Sequence, residues 1–259
     1  MARSIWNGTI AFGLMTVPVK LHTATESKTV SFREVHIDDG AHVEHRRFCS
    51  KEDKEVPYKE VVKGYEVSDG KFVVLEKDEI AAAAGDGAHR IDVEHFVDAG
   101  AIDPIYFAKT YYLGAGDDGG QAYRLLHDAL EKTGRAGIGR FTFHDREYLT
   151  AVRARDGVLV LHTLRYADEL VPGSDIEVAT PGRGPGDKEV KMAARLVDTL
   201  HAKFDPTDYD DEYREAVLSV VERKRKGEDI VPEEQPETDD SADLMATLEA
   251  SLRGAKGGR

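Results

Sequence analysis

The chain has 259 residues, 41% hydrophobic and 32% charged, enough for a sizeable core beneath a well-solvated surface. Its formal net charge of −14 argues against a simple basic nucleic-acid binder, and its single cysteine, Cys49, excludes an internal disulfide framework and fits a reducing compartment. No stretch approaches the roughly eighteen uninterrupted apolar residues of a membrane span, and the opening MARSIW lacks the apolar run of a secretory signal, so a soluble, cytoplasmic protein is expected.

Strand formers dominate residues 4–25, SIWNGTIAFGLMTVPVKLHTAT, which read as two strands joined at Gly13-Leu14-Met15-Thr16. Asn7-Gly8 permits a bulge or a close backbone approach, and Pro18 argues for a strand start or an edge position. Residues 30–48 alternate apolar and polar side chains around Asp38-Asp39-Gly40, the pattern of a β-hairpin. A short helix over Lys59–Gly64, a strand over Lys71–Leu75 and a helix over Lys77–Ala84 are expected next.

Further strands follow at 90–98 and 102–113. The loop GAGDDGG at 114–120 leads into an amphipathic helix over Gln121–Thr133, with Ala122, Leu125, Leu126, Ala129 and Leu130 on one stripe and Gly134 ending it. Strands at 136–144, 147–155 and 158–166 complete the series, the last two turning at Asp156-Gly157. Many strands with one or two intercalated helices predict a mainly β chain with α elements (α+β), built on a barrel.

After a loop at 172–187, residues 187–226 carry two apolar stripes at helical spacing and form a helical arm. Residues 227–240, GEDIVPEEQPETDD, read as an acidic flexible linker, and 241–259 as a short helix with a basic tail. The acidity is concentrated here: residues 205–249 hold five Lys and Arg against sixteen Asp and Glu, a net −11, whereas residues 1–63 are net +1. A local basic surface elsewhere is compatible with the overall charge.

Three chemistries compete for the reactive residues. His127-Asp128 and His144-Asp145 are pairs of the kind used by metal-dependent phosphoesterases, the first expected on the exposed side of its helix. His36, His42, His45 and Cys49 are zinc-capable, but their spacing matches no finger or ribbon, so no metal is expected. Arg46, Arg47, Lys51 and Lys54, followed by Lys59 and Lys63 at helical spacing, make a polyanion grip, although Glu44, Glu52, Asp53, Glu55 and Glu60 are interleaved. A β-barrel scaffold that binds only protein is the remaining alternative.

SIWNGTIAFGL followed by TVPVKLHTAT resembles the N-terminal signature of the prokaryotic Ku family, the DNA-end-binding proteins of non-homologous end joining. VPYKEVVKGYEVSDGKFVVL, IDPIYFAKTYYLG and LHTLRYADEL follow in family order, and DLMATLEASL is similar to the family's C-terminal element. The resemblance implies a Ku-type barrel core over 1–180 with a bridge at about 30–67, a bridge and pillar insertion that closes a ring around duplex DNA, and a C-terminal helical arm.

It further implies a homodimer, nucleoid-associated, that binds double-stranded DNA ends independently of sequence, recruits the ATP-dependent ligase D, needs no cofactor and catalyses nothing. Arg33, Arg46, Arg47, Lys51, Lys54, Lys59 and Lys63 are then the expected phosphate contacts on the bridge, joined by Arg140 and Arg146 of the segment GRFTFHDRE. Leu244, Met245, Leu248 and Leu252 are the expected ligase contacts.

Overall fold

The computed structural model describes residues 3–83, 89–144, 146–178 and 184–228, together with 247, 248, 251, 253 and 254. The chain forms two compact units, residues 1–27 with 33–172 and residues 28–32 with 173–259. The first unit is a closed barrel of seven strands. Its strands are β1 (Trp6–Phe12), β2 (Met15–Thr23), β7 (Arg90–Asp98), β8 (Phe107–Ala115), β9 (Arg135–Phe143), β10 (Arg146–Arg155) and β11 (Val158–Leu164). They run β1-β2-β8-β11-β10-β9-β7, and β7 closes on β1 through a parallel pairing, Thr9↔Arg90 to Ala11↔Asp92.

Alternation along each strand sorts the side chains. Ile10, Val17, Val19, Leu21, Ile91, Leu113, Phe141, Leu159 and Leu161 are fully buried in one cluster that fills the barrel. A second, outer cluster of Ala136, Ala151 and Leu164 packs against Ile102 and Tyr106 of the connection from β7 to β8 and against Phe107 at the start of β8.

Asn7-Gly8 makes the close approach its sequence suggested: a Cβ on Gly8 would strike the carbonyl of His89 and the Trp6 ring. Pro18 lies inside β2 rather than at its start. Pairing with β8 begins only at Val19↔Ala115, so the missing amide falls where no ladder partner awaits it. The β10–β11 turn has positive φ at both central residues, 49° at Asp156 and 81° at Gly157, as an Asp-Gly hairpin requires.

Helix α2 (Gly120–Thr133) joins the end of β8 to the start of β9, and Gly134 terminates it in the left-handed region at φ 64°. Leu126 and Leu130 enter the barrel's interior cluster, so the helix closes that mouth of the barrel. The Tyr123 hydroxyl accepts from the Leu159 amide at 2.8 Å and donates to the Leu113 carbonyl at 2.5 Å, tying the helix to two strands at once. His127 is buried, not exposed as the stripe predicted: a helix laid across a barrel mouth buries a wider arc than one packed on a flat face.

Between β2 and β7 lies a long insertion. The turn at Asp38-Asp39-Gly40 forms, with the His36 amide donating to Ala41 O at 2.8 Å and Gly40 at φ 70°. The hairpin expected over 30–48 forms only at its tip: the bridge Val35↔His42 and the Val43 amide donating to Glu34 O at 3.1 Å pair the chain, and no extended ladder follows. Phe48 pairs instead within a two-residue ladder, β3 (Phe48–Cys49) against β4 (Lys54–Glu55).

The helix expected over Lys59–Gly64 is likewise absent. Tyr58–Glu60 form one 3₁₀ turn, and Lys63 opens β5 (Lys63–Ser68), which pairs with β6 (Lys71–Leu75). The β-branched run Val61-Val62 and the strand-forming Tyr65 and Val67 override the helical charge spacing. Helix α1 (Lys77–Ala83) follows as expected. The strand expected from 102 starts only at Phe107, because Pro104 opens a 3₁₀ turn capped by the Asp103 carboxylate.

The second unit contains helices α3 (Asp187–Leu200) and α4 (Glu212–Arg225). The Asp211 side chain accepts from the Arg214 amide at the start of α4, an ordinary N-cap. Val190, Val197 and Leu200 of α3 and Tyr213, Leu218 and Val221 of α4 are all exposed.

Candidate nucleic-acid interface

None of the described residues between 24 and 89 is buried, although this insertion carries Phe32, Ile37, Phe48, Tyr65, Phe72 and Val74. Two strands without a covering layer are marginal in water, so the β5–β6 hairpin lacks a core of its own. The insertion is therefore an arm of short ladders and turns that leaves and re-enters the barrel rim between Thr23 and Arg90.

The predicted bases separate into two groups. Lys51, Lys59, Lys63 and Arg33 are exposed and make no ion pair among the described residues. Lys51 lies in the turn between β3 and β4, Lys59 in the 3₁₀ turn and Lys63 at the head of β5, so they do not share a helical face.

The others are engaged. Arg46 lies 3.2 Å from Glu55 and 3.5 Å from Glu44, and Lys54 lies 3.8 Å from Glu52. Arg47 is stacked over the Tyr58 ring at 5.0 Å, a contact that uses the face of its guanidinium and no carboxylate. The interleaved acids thus neutralise part of the basic run, and their contacts decide which bases stay available.

Arg140 and Arg146 are on the barrel. Arg140 donates to Glu94 at 2.9 Å and to Glu147 at 3.0 Å, and these two hydrogen bonds hold its guanidinium above the usual arginine range. Glu94 reaches it because β7 bulges between Val93 and His95, opposite Gly139. Arg146 lies 3.7 Å from Glu169 and over the Tyr148 ring at 5.2 Å.

The metal candidates are not assembled. His36 contacts Asp39 at 3.0 Å, His45 contacts Glu34 at 2.7 Å, and Cys49 is a free thiol. Among the described residues, the His, Cys, Asp and Glu side chains that converge are His127, Asp128 and Glu131 on α2. His127 Nδ1 is 2.9 Å from Asp128 Oδ1. His144 does not join them, and Asp145 lies outside the described residues. Among the described residues, His144 and the His127-Asp128 pair do not converge on one site.

Of the expected ligase contacts, Leu244, Met245 and Leu252 lie outside the described residues, while Leu248 is half-buried in a helical turn with Thr247. Arg153 and Arg155 are not among the bases predicted from the sequence. Their period-two spacing before the Asp156-Gly157 turn puts both on one face of β10, and that spacing was the available signal.

A family model described as the Ku70/Ku80 beta-barrel domain matches residues 11–192. The chain is 41% identical over 258 residues to the non-homologous end joining protein Ku of Anaeromyxobacter sp. (strain K), spanning 99% of this chain and 87% of that protein. It is 39% identical to the protein of the same name from Solibacter usitatus (strain Ellin6076), spanning 100% and 96% of the two chains. It is 34% identical to that of Bacillus subtilis (strain 168), spanning 96% and 81%. With the closed barrel and its long rim insertion, these matches show that the chain belongs to the Ku β-barrel family.

Proposed function

We propose that this chain acts in non-homologous end joining as a homodimeric ring that threads onto double-stranded DNA ends independently of sequence and recruits ligase D. Family membership supports the process and a non-enzymatic role, since the relatives are named for end joining rather than for a reaction. No helix among the described residues is long and apolar enough to cross a membrane. Action at DNA implies a place at the nucleoid.

The observation that carries the ring is the insertion between β2 and β7. Its exposed Tyr65, Phe72, Val73 and Val74 require a second surface to bury them, and an identical insertion in a second copy is self-complementary by symmetry. Two such arms would close an arch that neither copy completes alone. Closure also relaxes the need for strong net positive charge, because release requires sliding back to an end.

Phosphate contact falls first to Lys51, Lys59, Lys63 and Arg33, which need give up no carboxylate, and to Arg47, which is stacked on Tyr58 rather than paired with an acid. Arg46, Lys54, Arg140 and Arg146 contribute by exchanging a carboxylate for a phosphate. Leu244, Met245, Leu248 and Leu252 are the proposed ligase-binding stripe.

A gel-shift experiment comparing linear duplex with covalently closed circles tests the reading. Linear DNA is expected to be retained without cleavage and closed circles to be released. Equal affinity for the two forms would falsify threading.

A further inference from the structure

We propose that Arg153, oriented by His162, is a phosphodiester-binding site on the outer face of the barrel, separate from the bridge lysines. The inference rests on the reading of the chain as a DNA-end binder. Six arginines lie on the barrel strands: Arg90, Arg135, Arg140, Arg146, Arg153 and Arg155. Five of them have a carboxylate within 4.0 Å: Asp92, Asp98, the pair Glu94 and Glu147, Glu169 and Asp156 respectively. Arg153, half-buried, has none among the described residues.

Its partner is a neutral base instead. Arg153 Nε donates to His162 Nε2 at 3.0 Å, and His162 Nδ1 is 2.9 Å from Thr110 Oγ1. An imidazole that accepts at Nε2 carries its proton on Nδ1, so the ring donates to Thr110 and its tautomer follows from the network. The ladder registers Ala151↔His162 and His162↔Thr110 set the three strands side by side, and Arg153 reaches one step along β10 to meet the ring.

His162 is 6% exposed, with the Phe107 ring edge-on at 4.9 Å, so the acceptor is fixed in place. Burial above all, then the charges of Arg153 and Arg155, keeps the imidazole neutral at physiological pH. This arrangement commits Nε to the protein and leaves both terminal amino groups of the guanidinium as a preset fork. An oxyanion with two acceptor oxygens is the group that such a fork binds bidentately.

Charge points the same way. Arg155 lies two residues further along the same face, and among the described residues Asp156 is its one carboxylate partner. A cation held by a neutral acceptor keeps its full charge for a ligand, whereas Arg140 between two acids does not. A backbone phosphate needs no base readout, which fits a site built on a single guanidinium charge.

The test uses the full chain and a short blunt duplex, with affinity measured across a range of salt. Arg153→Gln should weaken binding to all sequences alike and lower the salt slope by about one. Arg153→Lys should restore the slope but only part of the affinity, because the fork is lost. His162→Ala should lower affinity with the slope largely kept, and His162→Gln, which retains an acceptor, should recover it. Wild-type affinity and slope in Arg153→Gln would overturn the site while leaving end binding intact. So would a fall in melting temperature with unchanged slope, which would make Arg153 structural. Failure of the wild-type chain to bind linear duplex would instead remove the end-binding reading on which the site rests.

Discussion

The Tyr123 hydroxyl donates to the Leu113 carbonyl at 2.5 Å while it accepts from the Leu159 amide, so one α2 side chain satisfies backbone groups of both β8 and β11. Burial raises the phenol's pKa, with the Leu159 hydrogen bond acting against it, and the group stays protonated as a donor throughout the working range. Tyr123→Phe should therefore leave a buried carbonyl and amide unpaired and destabilise the fold by about 1–3 kcal/mol. Urea denaturation of the two proteins measures this, and an unchanged midpoint would refute the latch.

Gly139 is required by close approach, not by its dihedral. A Cβ there would overlap the carbonyl of Asp92, at the point where the β7 bulge aims Glu94 at Arg140. Gly139→Ala should cost about 3 kcal/mol, visible as a lowered melting temperature. Gly100→Ala, where a Cβ meets nothing, is the matched control.

The buried imidazole of His162 makes stability depend on pH. Its pKa is lowered from the ordinary 6.5 to about 4, so between these values the unfolded chain binds the extra proton and the folded chain does not. Stability should accordingly fall as pH drops from about 6.5 towards 4, by on the order of 2 kcal/mol, and level off below. Denaturation curves across this range should flatten in His162→Gln. An equally steep dependence in that variant would assign the titration elsewhere.

Charge removal should distinguish the two groups of bases. Lys51→Gln, Lys59→Gln and Lys63→Gln should each lower the salt slope of duplex binding by about one. Arg140→Gln should change it far less and should instead leave Glu94 and Glu147 facing each other without their shared cation. Equal slope changes for all four would mean that carboxylate pairing does not decide availability.

The apolar hairpin should control assembly. Replacing Tyr65, Phe72 and Val73 with Ser removes exposed apolar surface that belongs to no internal core, so the barrel should melt as in wild type while the proposed dimer is lost. Analytical ultracentrifugation reads the outcome. A dimer that persists in this variant would place the self-contact elsewhere.

What the sequence determined by itself is the barrel. Strand-forming composition, the alternating Val17, Val19 and Leu21 of β2 and the Asp156-Gly157 turn are local signals, and a strand whose inner face is buried obeys them closely. The same alternation in residues 30–48 predicts a long hairpin of which only the tip pairs, because no core lies beneath Val35 and Ile37 to enforce a register. The charge spacing of Lys59 and Lys63 suggested a helix for a similar reason: local pattern without packing is weak, and the β-branched neighbours prevailed.

Tertiary structure alone decided which charges are available. Arg140 and Arg153 are equivalent in the sequence, each an arginine alternating with apolar neighbours on a strand. One lies between two glutamates brought from β7 and β10, and the other rests on a histidine brought from β11. Those partners are 46, 7 and 9 residues away, and electrostatic contact depends on distance through space.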